Sequence, residues 1–305
     1  MKITRAVSVL LTGLVVVGCS AGEPDGQGAG QEPPTVENLT VRTGADIRLP
    51  LDSYRLTAEQ INQFAKASEL LAADCMKRYG FTWEVYGGDV AAVKDAPQAE
   101  RYGLISADSA ARYGYHPTPD TAAEDTGRSF KRKVEPTPEM LMVYGAKGAK
   151  TDADWKGAAI PEGGCLGEAE RKLEDGAPDS YVGGEVQNIK NEVFAQVESD
   201  PRLKKAMDAW SSCMKSSGYD YKNIWDANND TRWQQGSAAS PTEIATATAD
   251  VECKFKSKLP SVYLSLETAY ENQRIDSNAE EMSAFKAGVE TRMKNAADIL
   301  AKNPA

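Results

Sequence analysis

Two stretches of this chain repeat one another around a cysteine. Cys75-Met76-Lys77-Arg78-Tyr79-Gly80-Phe81 matches Cys213-Met214-Lys215-Ser216-Ser217-Gly218-Tyr219. In each, the cysteine stands five residues before a glycine suited to the left-handed position that ends a helix. A second cysteine follows on a segment with helix signals: Cys165 ahead of Leu166 to Leu173, and Cys253 within Glu243 to Leu259. Four cysteines allow three pairings. The repeat favours Cys75–Cys165 and Cys213–Cys253, one bridge for each of two helical modules. In the chain-entropy account, closing loops of roughly 90 and roughly 40 residues is worth about 4.6 and about 3.9 kcal/mol. That rivals the net stability of an ordinary domain, so the bridges read as structural. The chain has no Cys-x-x-Cys pair and one histidine, which speaks against a zinc site. A paired sulfur is also no nucleophile.

Helix signals dominate the rest. Thr57-Ala58-Glu59-Gln60 is a capping box, and Ile61, Phe64, Ala67, Leu70, Leu71 and Cys75 follow at helical spacing, predicting a helix from Ala58 to Tyr79. Asp200-Pro201 and Ser240-Pro241 each place a cap before a proline at the first helical position. From Val262 to Lys302 no proline interrupts an apolar stripe, although Glu271 to Glu281 offers little to bury, so one long helix bends or breaks there. Asn38 to Leu49 alternates like a small hairpin around Gly44. Gly87 to Gly164 is loop-rich, and Asp120 to Lys133 is dense in charge. Arg-Tyr-Gly recurs at Arg101, Arg112 and Arg78, and each copy reads as a helix stop. The fold class expected is mainly α, with two disulfide-stapled helical modules at 37–198 and 199–305, a loop-rich insertion and a long C-terminal helix.

The fifth cysteine, Cys19, has a different setting. Lys2 and Arg5 precede an apolar run from Ala6 to Val17, too short to span a membrane as a mature helix, and Gly18 supplies a small residue before Cys19. The run Val15-Val16-Val17-Gly18-Cys19 resembles a bacterial lipobox. Such a signal implies cleavage after residue 18 and a diacylglycerol on the Cys19 sulfur, with palmitate among its acyl chains, anchoring the protein to the outer face of the cell membrane. Ser20 to Val36, rich in Gly, Pro, Glu and Gln, reads as the remainder of a flexible linker over 19–36, about 23 Å in root-mean-square span. Export also suits an even set of paired cysteines. The formal charge of −10 falls to about −12 once Lys2 and Arg5 are removed, which opposes nucleic acid and anionic lipid headgroups as partners. The bilayer is then met only through the lipid on Cys19.

Chemistry is sparse by comparison. His116, in Tyr113-Gly114-Tyr115-His116-Pro117, has no second histidine to share a metal and reads as a packing or hydrogen-bonding group. No Gly-x-Ser-x-Gly elbow, phosphate loop, dinucleotide fingerprint or calcium loop occurs, so no catalytic residue, metal site or cofactor is expected. Asn228-Asn229-Asp230 lacks the alternating acids of a calcium site. Glu162, Glu168, Glu170 and Glu174 read as the solvated face of one helix. Trp225 and Trp233 bracket a polar loop inside the second bridge, and form either a stacking surface for a sugar or peptide or, with more weight from burial statistics, core residues.

The lipobox at Cys19, Leu49-Pro50-Leu51-Asp52-Ser53-Tyr54, both Cys-Met-Lys segments, Arg101-Tyr102-Gly103-Leu104, Ala111-Arg112-Tyr113-Gly114-Tyr115-His116 and Pro161-Glu162-Gly163-Gly164-Cys165 together resemble uncharacterised secreted lipoproteins of actinomycete bacteria. The resemblance covers most of the chain after residue 18 and implies export and anchoring, with no activity attached. The expectation is a non-enzymatic envelope protein that binds a peptide, glycan or exported protein. The alternative is a cell-wall hydrolase, which requires two facing carboxyls in a cleft, one with a raised pKa.

Overall fold

The computed structural model describes residues 32–85, 101–118, 135–145, 154–178, 185–234 and 236–303. The segment expected to be a signal peptide, Cys19, most of the segment expected to be a linker and the charged stretch from Asp120 to Lys133 lie outside these residues. Ten α-helices carry the described fold: α1 (Ala58–Arg78), α2 (Ala107–Tyr113), α3 (Pro138–Tyr144), α4 (Gly164–Leu173), α5 (Glu185–Ser199), α6 (Pro201–Ser216), α7 (Ile224–Asn228), α8 (Pro241–Lys256), α9 (Leu259–Ser277) and α10 (Ala279–Lys302). Two strands of two residues, β1 (Asp154–Trp155) and β2 (Ala158–Ala159), pair antiparallel before α4.

The caps act as their residue types dictate. Thr57 Oγ1 accepts from the Gln60 amide while Gln60 Oε1 accepts from the Thr57 amide, closing a reciprocal box. Asp200 and Ser240 accept first-turn amides of α6 and α8, each with proline at the start of the helix. The two repeated segments end their helices in the same way. Phe81 N–H donates to Met76 O and Gly80 N–H to Lys77 O; Tyr219 N–H donates to Met214 O and Gly218 N–H to Lys215 O. Gly80 and Gly218 take φ of +80° and +91°, the left-handed turn that a side chain would strain.

Both expected bridges are formed. Cys75 joins Cys165 with Cα atoms 5.5 Å apart, and Cys213 joins Cys253 at 5.6 Å. The first ties the end of α1 to the start of α4, and Ala72, Met76, Trp83, Val143, Ile160 and Ala169 pack around it. Nearby, Tyr144 O and Gly145 stand so close to Gly163 and Gly164 that an added Cβ on either Gly145 or Gly164 would overlap backbone, so glycine on both sides lets α3 dock on α4. The second bridge joins α6 to α8 beside the main core, in which Val186, Ile189 and Val193 of α5, Leu203, Trp210 and Met214 of α6, and Tyr263, Leu266 and Tyr270 of α9 are buried.

Two expectations are corrected, and a third holds in part. Residues 38–49 form no hairpin: Leu39 and Val41 N–H donate to Ser265 and Ser261 Oγ of α9, and Val41, Ile47, Leu49 and Leu51 enter the main core. Serines on a helix satisfy amides that a partner strand was expected to take. The boundary at 198/199 separates nothing, because residues 34–305 cluster as one unit. Here α5 shares a core with α6 and α9, and α10 reaches back to α1 and α4. The C-terminal helical stretch does break at Asn278, inside 271–281, but that range is not empty of burial, since Glu271 has 0% exposure.

Candidate functional site

Four carboxylates in the interior face residues 101–116 and 51. Glu243, Asp250 and Lys254 stand on α8 at intervals of seven and four residues, hence on one face, interleaved with Ala247 and Val251 of a buried stripe. Glu267 and Glu271 stand one turn apart on α9. All five side chains are buried. A buried charge of this kind persists only when it is paired or hydrogen-bonded, and the partners are specific.

Glu243 follows the Ser240 cap and turns its Oε1 toward the end of α2. There it accepts the Tyr115 amide at 2.9 Å and meets His116 Nδ1 at 2.8 Å. Gly114 precedes them at φ +57°, and a Cβ there would fall 2.7 Å from the same oxygen. Glycine is therefore required both for the turn and for the approach of Glu243. The hydrogen bond to Glu243 holds the His116 imidazolium above its ordinary pKa.

Asp250 lies two turns along. Its Oδ1 accepts Trp210 Nε1–H at 2.9 Å, and its Oδ2 accepts from Lys254 Nζ at 2.8 Å and from Tyr115 O–H at 3.2 Å. Lys254 Nζ also donates to Leu104 O at 2.9 Å, beneath Gly103, whose φ of +71° lets the chain pass over the ammonium. Burial pushes Asp250 up and Lys254 down, each opposed by the other's charge.

Glu267 receives the Arg101 guanidinium as a fork through Nε and Nη2, and Tyr102 O–H at 2.9 Å. The Tyr102 ring stacks on Tyr263 with centroids 4.9 Å apart. Arg101-Tyr102-Gly103, expected to stop a helix, therefore docks residues 101–105 onto α9. The copies at Arg78 and Arg112 do end helices. Glu271 completes the set: its Oε2 accepts the Leu51 amide at 2.8 Å, and its Oε1 has no hydrogen-bond partner. Burial raises its pKa to about 7; the Leu51 amide, Arg101 and Lys190 oppose the shift, and Glu267 adds to it.

The expected contact surface is largely committed inside the fold. Trp233 is 7% exposed, donates Nε1–H to Ala227 O at 2.7 Å, and stacks on Tyr115. Trp225 is half-buried against the main core. Asp230 is taken by Arg232 and by Tyr221 O–H at 2.8 Å. No cluster of His, Cys, Asp or Glu suited to a metal occurs among the described residues. Glu168, read as a solvated acid, bridges Arg78 and Lys172 and is held down at about 2, chiefly by the Arg78 hydrogen bond.

Sequence reasoning gave no interior role to Asp250, Lys254, Glu267 or Glu271, and read Arg101 only as part of a helix stop. Their signal was present on α8, where Asp250 and Lys254 fall in register with Ala247 and Val251 rather than opposite them. The arrangement anchors one segment of chain to two helices. Comparison with protein-family models, with curated proteins and with solved structures finds no match to this chain.

Proposed function

We propose that the chain is an extracytoplasmic lipoprotein, anchored through Cys19 to the outer face of the cell membrane, which binds an envelope peptide, protein or glycan without chemical turnover. One observation carries the reading: the four cysteines beyond the lipobox are consumed in two bridges, leaving Cys19 as the one cysteine outside them. Bridges of this kind persist in oxidising compartments, and a cysteine set apart at a lipobox is the acceptor such a signal requires. The setting of the interior carboxylates Glu267 and Glu271 speaks against hydrolysis by this pair. Glu267 and Glu271 have the raised-pKa partner that a two-acid hydrolase needs, but both are buried and hydrogen-bonded to the fold's own backbone and side chains.

Two measurements test the proposal. Mass spectrometry of the mature N-terminal peptide should find diacylglycerol on Cys19, and Cys19→Ala should leave the membrane fraction or persist uncleaved. A Cys19→Ala protein matured and membrane-bound like the wild type ends the anchor. Purified protein should release no fragments from isolated cell-wall sacculi; steady release, abolished by Glu271→Gln, would establish the hydrolase instead.

A further inference from the structure

Two contacts in the row of carboxylates respond to the same change in acidity. His116, the single histidine of the chain, meets Glu243, which also holds the Tyr115 amide. Glu271, with one oxygen unpartnered and no exposure, holds the Leu51 amide. The first contact gains an ionic component when the imidazole takes a proton. The second loses a buried, only partly compensated negative charge when the carboxyl takes one.

We infer that residues 101–116 and 49–51 form an acid-set latch on α8 and α9, closed by the His116–Glu243 and Glu271–Leu51 contacts at mildly acidic pH and progressively loosened as the pH rises to neutrality and beyond.

The surroundings of both groups set the direction. His116 faces Glu243 on α8, and the Gly236 backbone also favours its charged form. Glu271 faces Glu267 on its own helix, Arg101 from the docked segment, Lys190 from α5 and the Leu51 amide. Lys190 is itself held down by burial and shares its field with Asp52, Arg55 and Arg101, so it compensates Glu271 only in part. Below pH 4.5 Glu271 is neutral folded or unfolded. Between 4.5 and about 7 the unfolded chain ionises first, and stability falls as the pH rises. The charged His116 contributes fully below about pH 6.5, and its contribution is lost as the pH climbs through the raised folded value. The two slopes have the same sign.

Hydrogen exchange on the full protein at pH 5 and pH 8, corrected for the intrinsic rate, reads the latch at the two amides it holds. Protection of Leu51 should fall by about 100-fold between these conditions, and that of Tyr115 by a smaller factor. Glu271→Gln keeps an acceptor for Leu51 and should flatten its response; His116→Gln should flatten that of Tyr115. Equal protection at pH 5 and 8 for both amides overturns the inference, as does a wild-type response that survives both substitutions. If a variant does not fold, the wild-type comparison decides alone.

Discussion

The Lys254 ammonium lies 2.8 Å from the carboxylate of Asp250, one turn back on α8, and neither side chain has any exposure to water. Trp210, Tyr115 and Leu104 O complete the arrangement, so α6, the end of α2 and residues 101–105 converge on one ion pair. A pair of this kind adds little net stability over apolar packing, but losing one member leaves a bare charge in the interior.

Lys254→Met keeps the length of the side chain and removes only that balance. The expected loss is about 3–5 kcal/mol, read from the denaturant midpoint at constant slope. A loss below about 1 kcal/mol would mean that Asp250 finds a proton or water instead.

Removing the bridges in turn should rank them. Cys75→Ala with Cys165→Ala opens a loop of 90 residues, and Cys213→Ala with Cys253→Ala one of 40. Each double variant should lose roughly 2–5 kcal/mol, the first slightly more. Thermal unfolding checks the order, and no change in either would deny the bridges a structural role.

Trp233→Ala should cost about 3–5 kcal/mol, because the indole is buried, hydrogen-bonded and stacked on Tyr115. Trp225→Ala, at a half-buried position, should cost less. Should Trp233→Ala weaken partner capture with its unfolding midpoint unmoved, the tryptophan would be a contact residue after all.

At low pH the Arg78–Glu168 pair sets a different limit. Glu168 sits at about 2 against an ordinary 4.5, so its contribution is complete above about pH 4.5 and is lost as the pH falls toward 2. Arg78→Ala should move acid unfolding to a higher pH, followed by far-ultraviolet circular dichroism. An unmoved transition would mean that Lys172 alone holds the carboxylate.

Local chemistry made much of this fold legible. Thr57, Asp200 and Ser240 announced helix starts, Gly80 and Gly218 announced stops, and the repeat around Cys75 and Cys213 pointed to the bridges that form. Long-range partnership was not legible. Residues 38–49 alternate like a strand, and nothing local to them records that Ser261 and Ser265 wait more than 200 residues away. Arg101 looked like the stop at Arg78 because both precede Tyr-Gly; only the fold brings Glu267 to one and Glu168 to the other. Buried carboxylates are the hardest to foresee, since a Glu on a helix is ordinarily solvated and its burial depends on which segment arrives to cover it.

Residues 279–302 are synthesised after every other described helix, yet Ala296 of α10 packs with Phe64 and Ala67 of α1 and Leu173 of α4, while Met282 and Phe285 join the main core. Until α10 arrives, a nascent chain carries an uncovered apolar face on α1, however completely its earlier helices have formed. Such a face marks a chain for proteases and chaperones. A chain lacking residues 279–302 would leave the α1 face beneath Ala296 open to water, so closure of this part of the core waits on a helix more than 200 residues away from α1.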